Sequence, residues 1–91
     1  MTLADKKFKF WDSPSGIHSE PDGIAADSTG KIWDEESGKD ANNLVRFDPA
    51  VEVFRTYPMP APNSSVRNMV RDGKGHLWLP LSLANKIAVV E

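Results

Sequence analysis

The residues best suited to chemistry in this 91-residue chain are oxygen donors gathered in two short stretches. His18, Glu20 and Asp22 form the first, and the run Asp34-Glu35-Glu36, with Asp40 just beyond, forms the second. Carboxylates beside one imidazole are the donor set of a Mg²⁺ or Ca²⁺ site, because hard cations take oxygen ligands. Asp22 and Glu36 are the candidate metal ligands. The spacing is not that of a calcium-binding loop, and charged loop residues more often stay solvated. Other reaction chemistries lack their groups. There is no Gly-x-Ser-x-Gly, no cysteine nucleophile and no plausible Ser-His-Asp set. Asp72-Gly73-Lys74-Gly75 lacks the phosphate-loop pattern and a following helix, so it reads as a hairpin, with His76 a structural residue beside it. Asn63-Ser64-Ser65 fits a glycosylation acceptor, which matters only in a secretory setting.

The elements that would position these groups are strands. Short alternating or β-branched runs are separated by Gly, Pro, Asn and Asp clusters, and no window sustains helical spacing for three turns. Eight strands are expected, at 7–11, 23–27, 31–34, 43–47, 52–57, 66–71, 76–80 and 86–90. Asp27-Ser28-Thr29-Gly30 and Asp72-Gly73-Lys74-Gly75 are tight connections. In each, the Asp can accept backbone N–H bonds, and the closing glycine, Gly30 or Gly75, supplies positive φ. Pro58-Met59-Pro60-Ala61-Pro62 cannot be a central strand, because its prolines lack donors, and is a connector.

The chain also repeats. Asp27 to Trp33 recurs about 45 residues later as Asp72 to Trp78, and Asn42-Asn43-Leu44-Val45 recurs as Asn85-Lys86-Ile87-Ala88. A period of that length, built of short strands and Gly-bearing turns, predicts an all-β fold of four-stranded antiparallel β-propeller blades. Lettering strands A to D outward from the channel, the order is D-ABCD-ABC. Residues 7–11 are an outer strand without its blade, 21–57 a complete blade, and 66–91 a blade lacking its outer strand. Phe8-Lys9-Phe10-Trp11 matches Phe54-Arg55-Thr56-Tyr57 in this scheme. Trp33 and Trp78 take equivalent places where one blade face meets the next. The last strand would be an open apolar edge unless something pairs with it. Either missing blades cover it, or copies join head to tail into a homo-oligomer, a trimer or tetramer closing about six or eight blades. The D–A and B–C connections share one face, which gathers His18, Glu20, Asp22, the 34–36 run and Asp40. Asp22 and Arg67 both open an A strand there, so they either form a ring of alternating charge or simply stay solvated, the commoner fate of such residues.

Composition narrows the partners. The chain is 40% hydrophobic and 26% charged with a net charge of −2, and it has no basic patch, so nucleic acid and anionic membrane are poor partners. Without cysteine there are no disulfides or thiolate metal sites. No apolar stretch is long enough to span a bilayer, and as written the chain is expected in the cytoplasm.

Pro21-Asp22-Gly23-Ile24-Ala25-Ala26-Asp27, Gly30-Lys31-Ile32-Trp33 and Leu44-Val45-Arg46-Phe47-Asp48-Pro49 together resemble a blade repeat of the streptogramin B lyase (virginiamycin B lyase) family. Val66-Arg67-Asn68-Met69-Val70 and Asn85-Lys86-Ile87-Ala88-Val89-Val90 resemble its closing segment. The resemblance implies a seven-bladed propeller and, in the lyase members, Mg²⁺-assisted opening of a cyclic depsipeptide. Little of such a site carries over. Asp22 stands where the repeat often has His, Glu36 matches its Glu, Asp34 replaces its aromatic residue, and the second blade has Leu79-Pro80-Leu81 there. Glu36 and His18 are the candidate catalytic residues, and Asp22, Glu36 and Arg67 the candidate ligand-binding residues. The expectation is a non-catalytic propeller module with ligand binding at the channel mouth. The alternatives are a metal-assisted enzyme assembled from several chains or missing blades, and a protein-interaction platform.

Overall fold

The computed structural model describes residues 8–38, 42–59 and 65–91. Among them are seven strands: β1 (Pro21–Ala26), β2 (Ile32–Glu36), β3 (Asn43–Asp48), β4 (Val53–Pro58), β5 (Val70–Arg71), β6 (Leu77–Leu81) and β7 (Lys86–Val90). The first four form one antiparallel sheet in chain order, and the last three form another. The two sheets lie face to face, and between them is an apolar core of Trp33 and Leu44 from the first sheet with Val66, Met69, Leu77, Leu79 and Leu81 from the second blade. Strand β6 alternates strictly, its leucines turned to the core and Trp78 and Pro80 turned away. That period of two is what allows one sheet to bury a face against its neighbour.

The repeated turns explain why both blades form alike. Asp27 accepts the Thr29 and Lys31 amides at 2.8 and 3.0 Å on one carboxylate oxygen and the Trp33 indole N–H at 2.8 Å on the other. Asp72 does the same with Lys74, His76 and Trp78, at 2.8, 3.0 and 2.8 Å. Gly30 and Gly75 close these turns, each at φ +86°, where a side chain would be strained. Desolvation opposes ionisation of Asp27, but the Trp33, Thr29 and Lys31 donors outweigh it and hold the carboxyl at about 2. Asn42 and Asn85, paired in the repeat, both adopt left-handed backbone, at φ 53° and 54°, just before β3 and β7.

Three strands depart from expectation. Strand β2 runs on to Glu36, because β1 begins at Pro21 and pairs with the whole acidic run through a bulge between Asp22 and Ile24. Strand β5 is only two residues long. Residues 66–69 are instead drawn into the seam between the sheets, where Val66 and Met69 are buried. Residues 8–11 form no strand. Trp11 folds back onto its own sheet, its ring 4.9 Å from Phe47 and its indole donating to Glu52 at 2.8 Å. An outer strand needs a free sheet edge, and the edge these residues match is not offered by their own first blade. Asp40, Asn63, Ser64 and residues 60–62 of the Pro58-to-Pro62 connector lie outside the described residues.

Candidate functional site

The inner strands β1 and β5 approach each other where the two blades meet. Asp22 caps its own bulge, accepting the Gly23 amide at 3.0 Å. Gly23 is required there: a Cβ on it would lie 2.7 Å from the Val66 carbonyl oxygen of the next blade. Beside this close approach is an open cavity of about 420 Å³, lined by Asp22, Asp34, Arg67, Asn68 and Met69 among others. The structure thus brings Asp22 and Arg67 to one groove. A carboxylate, a guanidinium and an amide around an open cavity can hold a small polar or zwitterionic molecule by paired hydrogen bonds.

Glu36 and His18 are placed elsewhere. Glu36 is fully buried, and its two oxygens accept Ser13 Oγ at 2.5 Å, Ser15 N at 3.0 Å, Ser15 Oγ at 2.6 Å and Asn43 Nδ2 at 3.3 Å. Burial alone would push its carboxyl up, but these donors pull it below the ordinary glutamate value. Glu36 is therefore the clasp that fastens the segment before β1 to the sheet. His18 is exposed in the turn leading to β1. Among the described residues, no three His, Asp or Glu side chains converge as metal ligands. The donor set of a lyase-type Mg²⁺ site therefore does not fit the arrangement present, since Glu36 is saturated and Asp22 sits in a different groove.

Asp34, expected at the end of a strand, and Glu35, expected just beyond it, both lie within β2. Glu35 is fully buried at the inter-blade seam, where it accepts Ser37 Oγ and, at 3.4 Å, the Val66 amide. Burial pushes its carboxyl up despite these donors, with Asp22 and Glu36 adding to the rise. One Glu35 oxygen and one Asp34 oxygen are buried without a hydrogen-bond partner among the described residues. Asp34 occupies the place that Leu79 holds in the second blade, on the opposite face of the first sheet from Trp33. Desolvation, then the charges of Glu36 and Glu35, push it up to about 6. The partners that hold this acidic run come from residues 13–22 and from Val66, and no local signal reports those.

Asp34 carries a direct expectation. Its folded pKa lies above the unfolded value of 3.8, so its contribution to stability is full below that value and is lost as pH rises through about 6. Asp34→Leu should remove this loss and raise stability at pH 7 by about 1 kcal/mol, allowing for solvent screening. Urea denaturation at pH 4, 5, 6 and 7 checks it. An unchanged pH profile in the variant would assign the acid-range slope to other groups.

No protein-family model matches the chain, and no curated protein matches it. Its backbone is similar to virginiamycin B lyase from Staphylococcus aureus, known from a crystal structure of the selenomethionine-substituted protein, with a TM-score of 0.70 and 23% sequence identity. The match covers 82% of this chain and 25% of that one, so the chain spans about a quarter of that lyase. At this identity the likeness speaks to fold and not to activity. The two antiparallel sheets, their face-to-face stacking and this likeness together make the chain an all-β protein with the fold of a β-propeller segment.

Proposed function

We propose that the chain is a non-catalytic two-blade module of a larger propeller, related to the streptogramin lyases, with a binding groove for small polar ligands at Asp22 and Arg67. The observation that carries this reading is the contrast between its two equivalent tryptophans. Trp33 is 8% exposed under the second blade, whereas Trp78, held by the same Asp-indole bond, is 41% exposed with no blade over it. Around Trp78 on that face, Val70, Ile87 and Val89 are exposed as well. A sheet face that is apolar and uncovered is built to be covered. Against a catalytic role for Glu36 stands its saturation by Ser13, Ser15 and Asn43.

Quenching by acrylamide tests the reading on dilute protein retaining one tryptophan, either Trp33 (Trp11→Phe with Trp78→Phe) or Trp78 (Trp11→Phe with Trp33→Phe). Strong quenching of Trp78 and weak quenching of Trp33 is expected, and equal quenching would remove the uncovered face. Consumption of virginiamycin B by the isolated chain with Mg²⁺ would overturn the non-catalytic reading.

A further inference from the structure

The sheet face that Trp78 shares lacks one more thing besides a neighbouring blade. In the first blade, the outer strand β4 lays Tyr57 over Trp33, their rings 5.9 Å apart and nearly parallel at 23°. Tyr57 reaches that place because it pairs with Leu44, while Arg55 pairs with Arg46 and Phe54 with Phe47. The second blade ends at β7, whose outer edge is unpaired among the described residues. Nothing in its own sheet plays the part of Tyr57.

The chain carries the missing strand at its other end. Phe8-Lys9-Phe10-Trp11 matches Phe54-Arg55-Thr56-Tyr57 position by position, and Trp11 falls where Tyr57 stands. In the single chain these residues are poorly satisfied. Phe8 and Phe10 are 80% and 88% exposed, while Trp11 rests on Phe47 at 4.9 Å with an exposed bond to Glu52 and Lys9 nearby. Exposed contacts of this kind contribute little and are readily exchanged.

The face from which the segment departs matches the face of the second blade. On the side of the first sheet away from Trp33 is a cavity of about 440 Å³, lined by Trp11, Ile24, Ile32, Asp34, Phe47 and Phe54. Ile24, Ile32 and Asp34 are the counterparts of Met69, Leu77 and Leu79, three of the residues that receive Trp33 inside the chain. We infer that the occupant of both open surfaces is a second copy of this chain, joined head to tail, with residues 8–11 of one copy adding to β7 of the next and Trp11 stacking on its Trp78. The seam repeats the internal blade junction, so it is continuous with an interface already built. The register follows from the first blade: Trp11 opposite Ile87, Phe10 opposite Ala88, Lys9 opposite Val89 and Phe8 opposite Val90. Asp34, standing where the internal junction has Leu79, makes this seam the weaker of the two. Such a head-to-tail contact closes into a ring or runs on as an open chain, depending on its rotation.

This inference rests on the two-blade reading, but the two can fail separately. The 91-residue chain has no cysteine, so two single-cysteine variants, Lys9→Cys and Val89→Cys, can be mixed and oxidised. A covalent heterodimer of the two variants is the expected product, together with concentration-dependent association of the wild type in sedimentation. Trp11→Ala should weaken that association about tenfold or more, and Asp34→Leu should strengthen it. A dominant Val89–Val89 cross-link would overturn the inference in favour of symmetric edge pairing. A folded wild-type monomer at every concentration, with no cross-link, would also overturn it, while leaving the uncovered Trp78 face to be settled by quenching.

Discussion

Trp33→Ala is expected to lower the stability of the isolated chain by about 3–5 kcal/mol, the range for truncating a large buried aromatic. Trp78→Ala is expected to cost about 1–2 kcal/mol at most, since the half-exposed ring loses mainly its bond to Asp72. The pair is informative because the two indoles share the same turn, the same strand position and the same carboxylate partner. What differs is the surface above each. Over Trp33 lie Leu77, Leu79 and Leu81, with Tyr57 stacked at its flank and the Arg46 guanidinium 5.9 Å above its ring. Truncation there opens a void in the only core the two blades share among the described residues. Urea denaturation of both variants, at concentrations low enough to keep copies apart, provides the comparison. As concentration rises, the Trp78 variant should fall behind the wild type, because the wild type then gains a cover that the variant cannot bind. Equal losses at low concentration would mean that both tryptophans are already enclosed.

Glu36→Ala is expected to cost about 3 kcal/mol, through the loss of a buried carboxylate and the stranding of its donors. Four hydrogen bonds end on this side chain, three of them from Ser13 and Ser15. Their pull sets the sign of the pH effect. With the folded carboxyl below its ordinary value, the contribution is full above the unfolded glutamate range and is lost as pH falls through the folded value. The variant should therefore lose stability mainly near neutral pH and converge on the wild type in acid. Glu36→Gln, which keeps one acceptor oxygen, should fall between the two. Thermal unfolding of the three proteins between pH 3 and 7 checks this. A variant of full stability would free Glu36 from its structural duty and return it to the list of groups able to meet a ligand.

Much of this fold is written in the repeat. The Asp27–Trp33 and Asp72–Trp78 units could be read as turns because their chemistry is local: one carboxylate gathers the amides of its own turn and an indole six positions on. Asn42 and Asn85 were paired by the repeat, and the structure adds that both adopt left-handed backbone, which asparagine tolerates. The acidic run was harder. Whether Asp34, Glu35 and Glu36 belong to a loop or a strand depends on partners brought from residues 13–22 and from Val66, and no local pattern reports those. The short β5 has the same cause, because the burial of Val66 and Met69 against another sheet overrides their strand pattern. The groove of Asp22 and Arg67 was legible through the repeat, which put both residues at the start of an inner strand.

The clasp at Glu36 also governs what the free end of the chain can reach. Ser13 and Ser15 are pinned to the side of the first sheet that faces away from the second blade. Only Asp12 separates pinned Ser13 from Trp11, so the slack is about one or two residues, several ångströms at full stretch. A tether that short keeps residues 8–11 beside the first sheet, where Trp11 already packs on Phe47. In the head-to-tail assembly inferred above, the stability of the second blade would then depend on how many molecules share the solution.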